Sequence, residues 1–278
     1  MIKGLFFNNN ILFIEISHSQ SNGVGAAMNT TLPSFLSNGI KGAFIWNRYS
    51  SKIEPLDSSN NTQFALEATP YALSFGCEMY LGFLLKKQYL NKKVVFVKTA
   101  IGSTSLYPGA SGSPYNAYDW SPETNNLKPL ALTNYNNAKT ACGKNSLEVF
   151  IKIQGEQDTS LAASAAYQSR LIAELNYLNS TRSPKLIIVV SLSDNQTGLN
   201  ATYRTTVQSA QMAVASAIYN GSAGTGTYTL QTGGVTISNV VCIRQNELTS
   251  DGYHYNVGSN PYGNIAQYIA TVIQNYIS

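Results

Sequence analysis

Residues 185–192 read K-L-I-I-V-V-S-L, which is the most continuous apolar run in the chain. A strand that is apolar along its whole length is typical of a parallel sheet, because helices cover both faces of such a sheet. The run follows Pro184 and predicts a central strand. It therefore places the protein in the α/β fold class.

Shorter apolar runs on either side predict the other core strands, namely Ile11–Ile16, Ala43–Trp46, Val94–Val97, Leu147–Ile153 and Val240–Ile243. Amphipathic segments predict helices over residues 71–90, 161–178 and 203–219, and from Asn260 onward. Asparagine suits the N-cap and proline the first helical position, so Asn260-Pro261 is a helix start signal. Residues 222–237 are rich in Gly and Thr and predict a hairpin.

The alternation of strands and helices predicts a three-layer α/β/α sandwich with a mostly parallel central sheet. No Pro- or Gly-rich linker divides the sequence, so we expect residues 1–278 to form one domain. Residues 48–68 and 103–130 are polar stretches that are too long for simple connections. We therefore expect both stretches to contribute to a site.

Composition excludes several classes of protein. The hydrophobic content of 44% is enough for a large core, and the charged content of 12% leaves Asn, Ser, Thr, Gly and Tyr to form the surface. Such a surface suits an extracellular or virion-associated protein that works near sugars. The net charge of +4 is scattered, which argues against nucleic acid as a partner. The sequence gives no indication of the oligomeric state.

The sequence shows no pattern typical of a signal peptide, a membrane-spanning segment or a cysteine-based framework. The first ten residues have too short an apolar run for a signal peptide, and no run is long enough to span a bilayer. The three cysteines, Cys77, Cys142 and Cys242, are widely spaced and predict neither a disulfide framework nor a zinc site. Cys77 and Cys242 lie in apolar surroundings and are predicted to be core thiols.

Polar clusters follow four of the predicted strands. They read S-Q-S-N-G at 19–23, I-G-S-T at 101–104, Q-G-E-Q-D at 154–158 and D-G-Y-H at 251–254. Ligands of open α/β sheets bind beyond the carboxyl ends of the strands. We therefore expect these clusters to converge at one edge of the sheet.

The residue types in these clusters match the needs of serine hydrolysis. That chemistry requires a hydroxyl, a base, a carboxylate that orients the base, and donors for the oxyanion. Asp251 precedes His254 by three residues, and a D-x-x-H turn can present both side chains in one direction. The other histidine, His18, has no closely flanking carboxylate and could point into a helix layer.

Each cluster also has an ordinary structural interpretation. Ser21 could cap a helix that begins near Asn22, and Gly102 could serve only a backbone bend. The Q-G-E-Q-D segment could be a simple strand exit, and D-G-Y-H could be a surface turn. The order and placement of all four clusters together favour a catalytic site.

The four clusters, in this order, resemble the conserved blocks of the SGNH hydrolases. More narrowly, they resemble the sialate O-acetylesterase-like group, which includes the acetylxylan esterases of carbohydrate esterase family 6. The segment T-P-Y-A-L-S-F-G-C-E-M at 69–79 is similar to the family's helix opening after the second strand. The resemblance extends from Ile11 to the last helix. It implies a flavodoxin-like α/β/α fold and hydrolysis of acetylated carbohydrates without a metal or other cofactor.

The resemblance also implies residue roles. Ser21 would be the nucleophile, His254 the general base and Asp251 its orienting partner. The oxyanion hole would be formed by the backbone N–H groups of Ser21 and Gly102 and the side-chain amide of Gln154. Asn22 and Glu156 would contact the substrate or hold the neighbouring loops.

The sequence departs from the family pattern at three places. Ser19 stands where the family usually has glycine, Ile101 where a second glycine is common, and Ile151–Ile153 where an aromatic residue is common. None of these departures removes a reacting group. They leave the substrate preference open.

The implied mechanism is a two-step acyl transfer. Its base must be neutral, so we expect the rate to fall as the pH drops through roughly 6–7, where histidine ordinarily titrates. Aromatic side chains of the second polar stretch could stack on sugar rings or could cover the core edge; they are Tyr107, Tyr115, Tyr118 and Trp120. Two alternatives remain open: a hydrolase of lipid or thioester acyl groups, and a non-catalytic carbohydrate-binding or virion structural module.

Overall fold

The structure is a computed structural model. It describes residues 10–25, 27–28, 32–57, 74–112, 118–124, 126–143, 146–221, 228–232, 237–247, 249, 251–255 and 261–277. The strands are β1 (Ile11–Ser19), β2 (Ala27–Met28), β3 (Ala43–Asn47), β4 (Lys52–Pro55), β5 (Ser74–Phe75), β6 (Lys93–Ala100), β7 (Ser146–Ile153), β8 (Leu186–Val190), β9 (Ala215–Gly221), β10 (Tyr228–Thr232) and β11 (Ile237–Arg244). The helices are α1 (Ser21–Val24), α2 (Ser34–Ser37), α3 (Cys77–Gln88), α4 (Lys128–Cys142), α5 (Leu161–Arg182), α6 (Ala201–Ala213) and α7 (Pro261–Ile277).

One large sheet dominates the described part of the chain. Its strand order is β10-β9-β11-β8-β7-β1-β6-β3-β4, and β8 pairs in parallel with both of its neighbours. Only the β3–β4 and β9–β10 pairs in this sheet are antiparallel. The central position of the 186–190 run and the α/β class are therefore confirmed. That residues 1–278 form one domain stays a prediction.

The chain order of the strands creates a switch point beside β1. From β1 the chain first builds the β6–β3 side of the sheet and then crosses to β7, β8 and β11 on the other side. Connections on the two sides leave in opposite directions at such a point, which opens a crevice beyond the carboxyl ends of the strands. Residues that directly follow β1 therefore line this crevice.

Helices cover both faces of the sheet, as the sequence predicts. Alternate residues of β1 point to opposite faces. Leu12, Ile14 and Ile16 pack in a core cluster with residues of α3 and α7. Phe13 packs in a second cluster with residues of α4, α5 and α6.

Two predicted helices have different bounds in the structure. The helix predicted over 71–90 begins at Cys77, because Ser74–Phe75 forms a short strand with β2; residues 71–73 lie outside the described residues. The helix predicted over 203–219 ends at Ala213. Residues 215–221 instead form β9, because pairing with β11 and β10 overrides the local helical pattern.

Helix α4 was not predicted: residues 128–130 were placed at the end of a polar stretch and residues 131–142 in no element, whereas the helix covers Lys128–Cys142. Asn and Thr give this helix a weak intrinsic propensity. Its buried face, with Ala131, Tyr135 and Ala138, packs in the second core cluster and stabilises it.

Other predictions hold in part. The hairpin exists, but its first strand is β9, so it begins before residue 222. Pro261 is the first residue of α7, whereas Asn260 lies outside the described residues. Cys77 and Cys242 are free, buried thiols, as predicted. Across the described ranges, no helix combines the length and apolar character that a membrane span needs.

Candidate active site

The nucleophile candidate lies on a tight turn after β1. Helix α1 begins at Ser21 itself, and the amides of Gly23 and Val24 donate to the Gln20 carbonyl at 2.8 and 2.9 Å. A Cβ at Gly23 would lie 2.3 Å from the Cβ of Ser19, so this turn requires glycine there. Ser21 is therefore not the cap of this helix. Its hydroxyl is left to interact with residues beyond the turn.

The structure brings Ser21, His254 and Asp251 together. The Nε2 atom of His254 lies 3.0 Å from the Oγ of Ser21, and its Nδ1 lies 2.6 Å from the Oδ2 of Asp251. A carboxylate only accepts hydrogen bonds, so Nδ1 carries the proton and Nε2 accepts from the serine hydroxyl. This hydrogen-bonded chain can take the proton of Ser21 when its oxygen attacks a substrate.

Asp251 is held in its charged form. Partial burial raises the pKa of Asp251. Hydrogen bonds from the ring N–H and backbone N–H of His254 and from the backbone N–H of Tyr253 have a larger, opposite effect, so the pKa lies below its usual range. The two backbone bonds measure 2.7 and 2.8 Å. The charge of Asp251 is therefore available to orient and stabilise the imidazole.

The 251–254 turn packs against a second glycine-containing loop. Gly252 has φ +81°, and a Cβ there would lie 2.6 Å from the backbone nitrogen of Gly198. The amide of Gly198 donates to the Gly252 carbonyl at 3.1 Å, and the ring of Tyr253 lies directly over Gly198. Both glycines are needed for this close approach, which sets the position of His254.

Asn22 ties three loops of the site together. Its Nδ2 donates to the Oε1 of Glu156 at 2.7 Å and to the carbonyl of Tyr253 at 3.0 Å. Its Oδ1 accepts from the amide of Tyr255 and the hydroxyl of Tyr262, both at 3.2 Å. These contacts support the loop-holding alternative for Asn22 and Glu156. Contact of either residue with a substrate stays a prediction.

Gly102 lies in the turn that directly follows β6. Strand β6 is paired with β1 up to its last residue, where Ala100 is opposite Ser19. The amide of Ile101 also donates to the carbonyl of Ser19 at 3.0 Å. The backbone on the N-terminal side of Gly102 is thereby fixed next to the Ser21 turn, and the oxyanion role of the Gly102 N–H stays a prediction.

Gln154 is completely buried at the end of β7. Its Oε1 accepts from the hydroxyl of Tyr167 at 2.8 Å, and its Nε2 donates to Asp158. Among the hydrogen bonds of the described residues, none joins this amide to Ser21. One N–H of the amide is therefore committed to Asp158, and the oxyanion role of Gln154 stays a prediction for the other N–H.

The aromatic residues of the second polar stretch have different positions. Trp120 is completely buried and stacks on His18 with 4.4 Å between ring centroids, so it covers the core edge and is not available for a sugar. The guanidinium of Arg170 lies over the Tyr107 ring, and Tyr118 is exposed. Tyr115 lies outside the described residues.

A buried polar cluster that was not predicted from the sequence surrounds His18, which precedes Ser21 by three residues. His18 is fully buried with φ +44° at a bulge of β1. Its Nδ1 contacts Glu174, and its Nε2 lies 3.3 Å from both terminal nitrogens of Arg182. A guanidinium only donates, so Nε2 is unprotonated and Nδ1 donates to Glu174. Burial lowers the pKa of His18 to about 3, which keeps the ring neutral.

Charged residues inside apolar strands were the signal for this cluster. Glu15 in β1 accepts from Thr99 at 2.6 Å and lies 3.4 Å from Arg182. Lys152 in β7 donates to the carbonyl of His18 at 2.7 Å. Buried charges require partners, so a glutamate in I-L-F-I-E-I and a lysine in F-I-K-I indicate an internal ionic network.

The described residues contain no group of three or more His, Cys, Asp or Glu side chains placed to hold a metal ion. No protein-family model and no curated protein matches this sequence.

Solved structures do match. A protein from Arabidopsis thaliana is 15% identical over 96% of this chain and 99% of its own, with a TM-score of 0.67. NanS is 10% identical over 96% of this chain and 98% of its own, also with a TM-score of 0.67. A carbohydrate acetylesterase from Xanthomonas citri is 10% identical, with a TM-score of 0.53, and the match covers 96% of this chain but 56% of that enzyme.

At these identities the similarity shows a shared fold. The chain therefore shares the α/β fold of these structures, which is consistent with the expected SGNH, flavodoxin-like type. The narrower relation to carbohydrate esterase family 6 remains a resemblance of short motifs.

Proposed function

We propose that this protein is a serine carbohydrate O-acetylesterase that removes acetyl groups from acetylated sugars or polysaccharides. The observation that carries the proposal is the hydrogen-bonded chain from Ser21 through His254 to Asp251 at the switch point of the sheet. The order of the four sequence clusters and the fold shared with a carbohydrate acetylesterase support the choice of substrate class. An extracellular or virion setting belongs to the proposal on composition alone.

The reaction proceeds in two steps. The Oγ of Ser21 attacks the acetyl carbonyl while the Nε2 of His254 takes the hydroxyl proton. His254 then returns this proton to the leaving sugar oxygen, and an acetyl-Ser21 ester forms. Water attacks that ester while His254 takes one of its protons, and His254 passes this proton to the departing Ser21 oxygen. The product is acetic acid, which ionises to acetate in solution.

The negative charge of each tetrahedral intermediate needs donors. The proposed donors are the backbone N–H groups of Ser21 and Gly102 and one N–H of the Gln154 amide. A preorganised donor of this kind contributes about 3 kcal/mol to the transition state.

Two assays test the proposal and its closest alternative. 4-Nitrophenyl acetate and octanoate, compared by kcat/KM, separate an acetylesterase from a lipid-directed hydrolase. Acetate release from acetylated xylan, acetylated sialic acids and bacterial surface polysaccharides identifies the carbohydrate. We expect a preference for acetyl over octanoyl and release from at least one carbohydrate; a preference for octanoyl, or no release from any carbohydrate, would contradict the proposal.

A further inference from the structure

Asp158 is a fully buried carboxylate that the two-step reaction does not use. It ends the short 3-10 turn Glu156–Asp158 after β7. Its two oxygens accept from the amide of Leu106 at 3.0 and 3.1 Å, and its Oδ1 accepts from the amide of Tyr107 at 3.1 Å. Its Oδ2 also accepts from the Nε2 of Gln154. One carboxylate thus holds donors from two separate segments.

These two segments are the ones that carry the proposed oxyanion donors. The loop with Leu106 and Tyr107 begins at Gly102. Inside this loop the hydroxyl of Thr104 donates to the Ile101 carbonyl at 2.7 Å, which connects the anchored part to the start of the loop. Asp158 therefore bonds directly to Gln154 and anchors the segment that follows Gly102.

The orientation of the Gln154 amide depends on the charge of Asp158. A carboxylate accepts and cannot donate, so it selects the NH₂ end of the amide. The hydroxyl of Tyr167 donates to the oxygen end, and Gln211 fixes the backbone by donating to the Gln154 carbonyl at 2.7 Å. Without a pure acceptor at position 158, only the hydrogen bond from the Tyr167 hydroxyl is left in this set of contacts to favour the present orientation of the amide.

Asp158 has no cationic partner in contact among the described residues. Lys152, whose charge lowers the pKa of Asp158, donates instead to the His18 carbonyl. Burial raises the pKa of Asp158 to about 7, although the N–H groups of Leu106, Gln154 and Tyr107 partly offset this. Because its pKa in the folded state lies above the ordinary value of 3.8, this carboxyl weakens the fold as the pH rises from about 4 to 7. A residue that costs stability at neutral pH is a functional candidate.

We propose that Asp158 is a positioning residue of the Ser21 site, where it orients the Gln154 amide and anchors the loop that begins at Gly102. This inference rests on the proposed esterase function. Oxyanion donors act on the transition state and not on the bound ester, so a fault in their position lowers kcat and leaves KM nearly unchanged.

The Asp158→Asn variant tests the inference with almost no change in shape. Its single oxygen can still serve the amides of Leu106 and Tyr107, but its NH₂ group then faces the NH₂ group of Gln154. We expect kcat for 4-nitrophenyl acetate at pH 8, above the pKa of Asp158, to fall about 10- to 100-fold per site titrated with a fluorophosphonate, with KM within about twofold. Because a buried charge is removed, we expect the unfolding temperature at pH 8 to fall by no more than about 2 °C.

A double-mutant cycle shows whether Asp158 acts through Gln154. We expect Gln154→Ala to lower kcat by about 10²- to 10³-fold, and the Asp158→Asn/Gln154→Ala double variant to lie within about threefold of Gln154→Ala. If the fold losses in kcat of the two single variants multiply in the double variant, the inference is overturned. A wild-type kcat per titrated site in Asp158→Asn would overturn it as well.

Asn239→Ala is the matched control for a purely structural loss. The Nδ2 of Asn239 donates to Asn179 at 2.8 Å and to the Pro184 carbonyl at 3.0 Å, at the opposite edge of the sheet. We expect this variant to lower the unfolding temperature and to keep the wild-type kcat per titrated site. If Asp158→Asn behaves like this control, the positioning role is wrong while the esterase proposal stands. If the wild type and Ser21→Ala are equally inactive, the esterase proposal itself fails, and this inference with it.

Discussion

The two histidines of this protein occupy opposite kinds of surroundings. His254 is 24% exposed, and it contacts a partly exposed aspartate and a serine hydroxyl. His18 is fully buried, stacks on Trp120 and lies between Glu174 and Arg182. Each ring contacts one carboxylate through Nδ1, so the carboxylate alone does not distinguish them.

The difference lies in what faces Nε2. In His254 this nitrogen meets a hydroxyl at the open edge of the sheet, so it can accept a proton and return it to a leaving group. In His18 it meets a guanidinium in the interior, and burial lowers the pKa to about 3, so the ring is fixed as a neutral structural element. A histidine next to a carboxylate is thus a base candidate only where its other nitrogen faces a reacting group.

Removal of His254 gives the largest expected effect. We expect His254→Ala to lower kcat for 4-nitrophenyl acetate by about 10⁵- to 10⁶-fold, as loss of the triad base does in a serine protease. The unfolding temperature should change by less than about 3 °C, because the side chain is partly exposed. Steady-state kinetics together with thermal unfolding check this, and a loss below about tenfold would contradict the role of His254.

Asp251→Asn is expected to have the next largest effect. An amide at this position favours the wrong tautomer of His254, and the equivalent change in a serine protease costs about 10⁴-fold in kcat. Because the pKa of Asp251 is lowered, its carboxylate stays charged well below neutral pH. The kcat per titrated site for 4-nitrophenyl acetate measures the effect of Asp251→Asn, and a variant that keeps more than about a tenth of the wild-type rate would refute the orienting role of Asp251.

His18→Asn should lower the free energy of unfolding much more than it lowers activity. Asparagine tolerates the positive φ and can still donate to Glu174, but it removes the stack on Trp120 and the acceptor for Arg182. We expect a loss of about 2–4 kcal/mol in the free energy of unfolding, measured with urea. The kcat per titrated site should change by less than about tenfold, and a loss as large as that of His254→Ala would refute the distinction between the two rings.

The pH dependence of this stability difference tests the protonation state of His18. The pKa of His18 is about 3 in the folded protein and 6.5 when unperturbed, so between these values the unfolded state binds a proton that the folded state does not. The wild type therefore loses this contribution as the pH falls from about 7 to 4, and the Asn variant has none to lose. The stability gap between them should narrow over that range; a gap that widens would mean that His18 is protonated in the fold.

The smallest effect is expected for Glu156→Gln. Oε1 of Glu156 accepts from Asn22 and from Gln196, and Oε2 has no hydrogen-bond partner among the described residues. An amide can keep both contacts, so a loop-holding role predicts a change in kcat/KM of less than about threefold. A larger rise in KM for an acetylated carbohydrate, without one for 4-nitrophenyl acetate, would show that Glu156 contacts the sugar.

The sequence specifies the strands more completely than the helices. The run at 186–190 is buried on both faces, so every one of its residues is apolar and its position in the sheet can be predicted from that pattern. Helix α4 has no such pattern, because its stability comes from packing on the sheet and not from its own residues. The sequence of β9 has a helical pattern, yet it forms a strand because it pairs with β10 and β11. Such pairing with other segments cannot be predicted from the local pattern.

Within the candidate site, too, some contacts can be predicted from the sequence and others cannot. Local spacing is enough to pair Asp251 with His254, and chain order is enough to place Ser21 at the same edge. The contacts of Gln154 with Asp158 and Tyr167 come from side-chain directions inside the core, which spacing does not determine. The sequence therefore predicts which groups meet at the surface better than it predicts how the buried groups beneath them are arranged.

The central claim is that Ser21 is a nucleophile activated by His254. Its most direct test is peptide mass spectrometry of the folded protein after reaction with a fluorophosphonate. We expect one adduct, on the peptide that contains Ser21. It should be absent in Ser21→Ala, form much more slowly in His254→Ala, and form at nearly the wild-type rate in His18→Asn. An unlabelled wild type, or an adduct on a different serine, would contradict it.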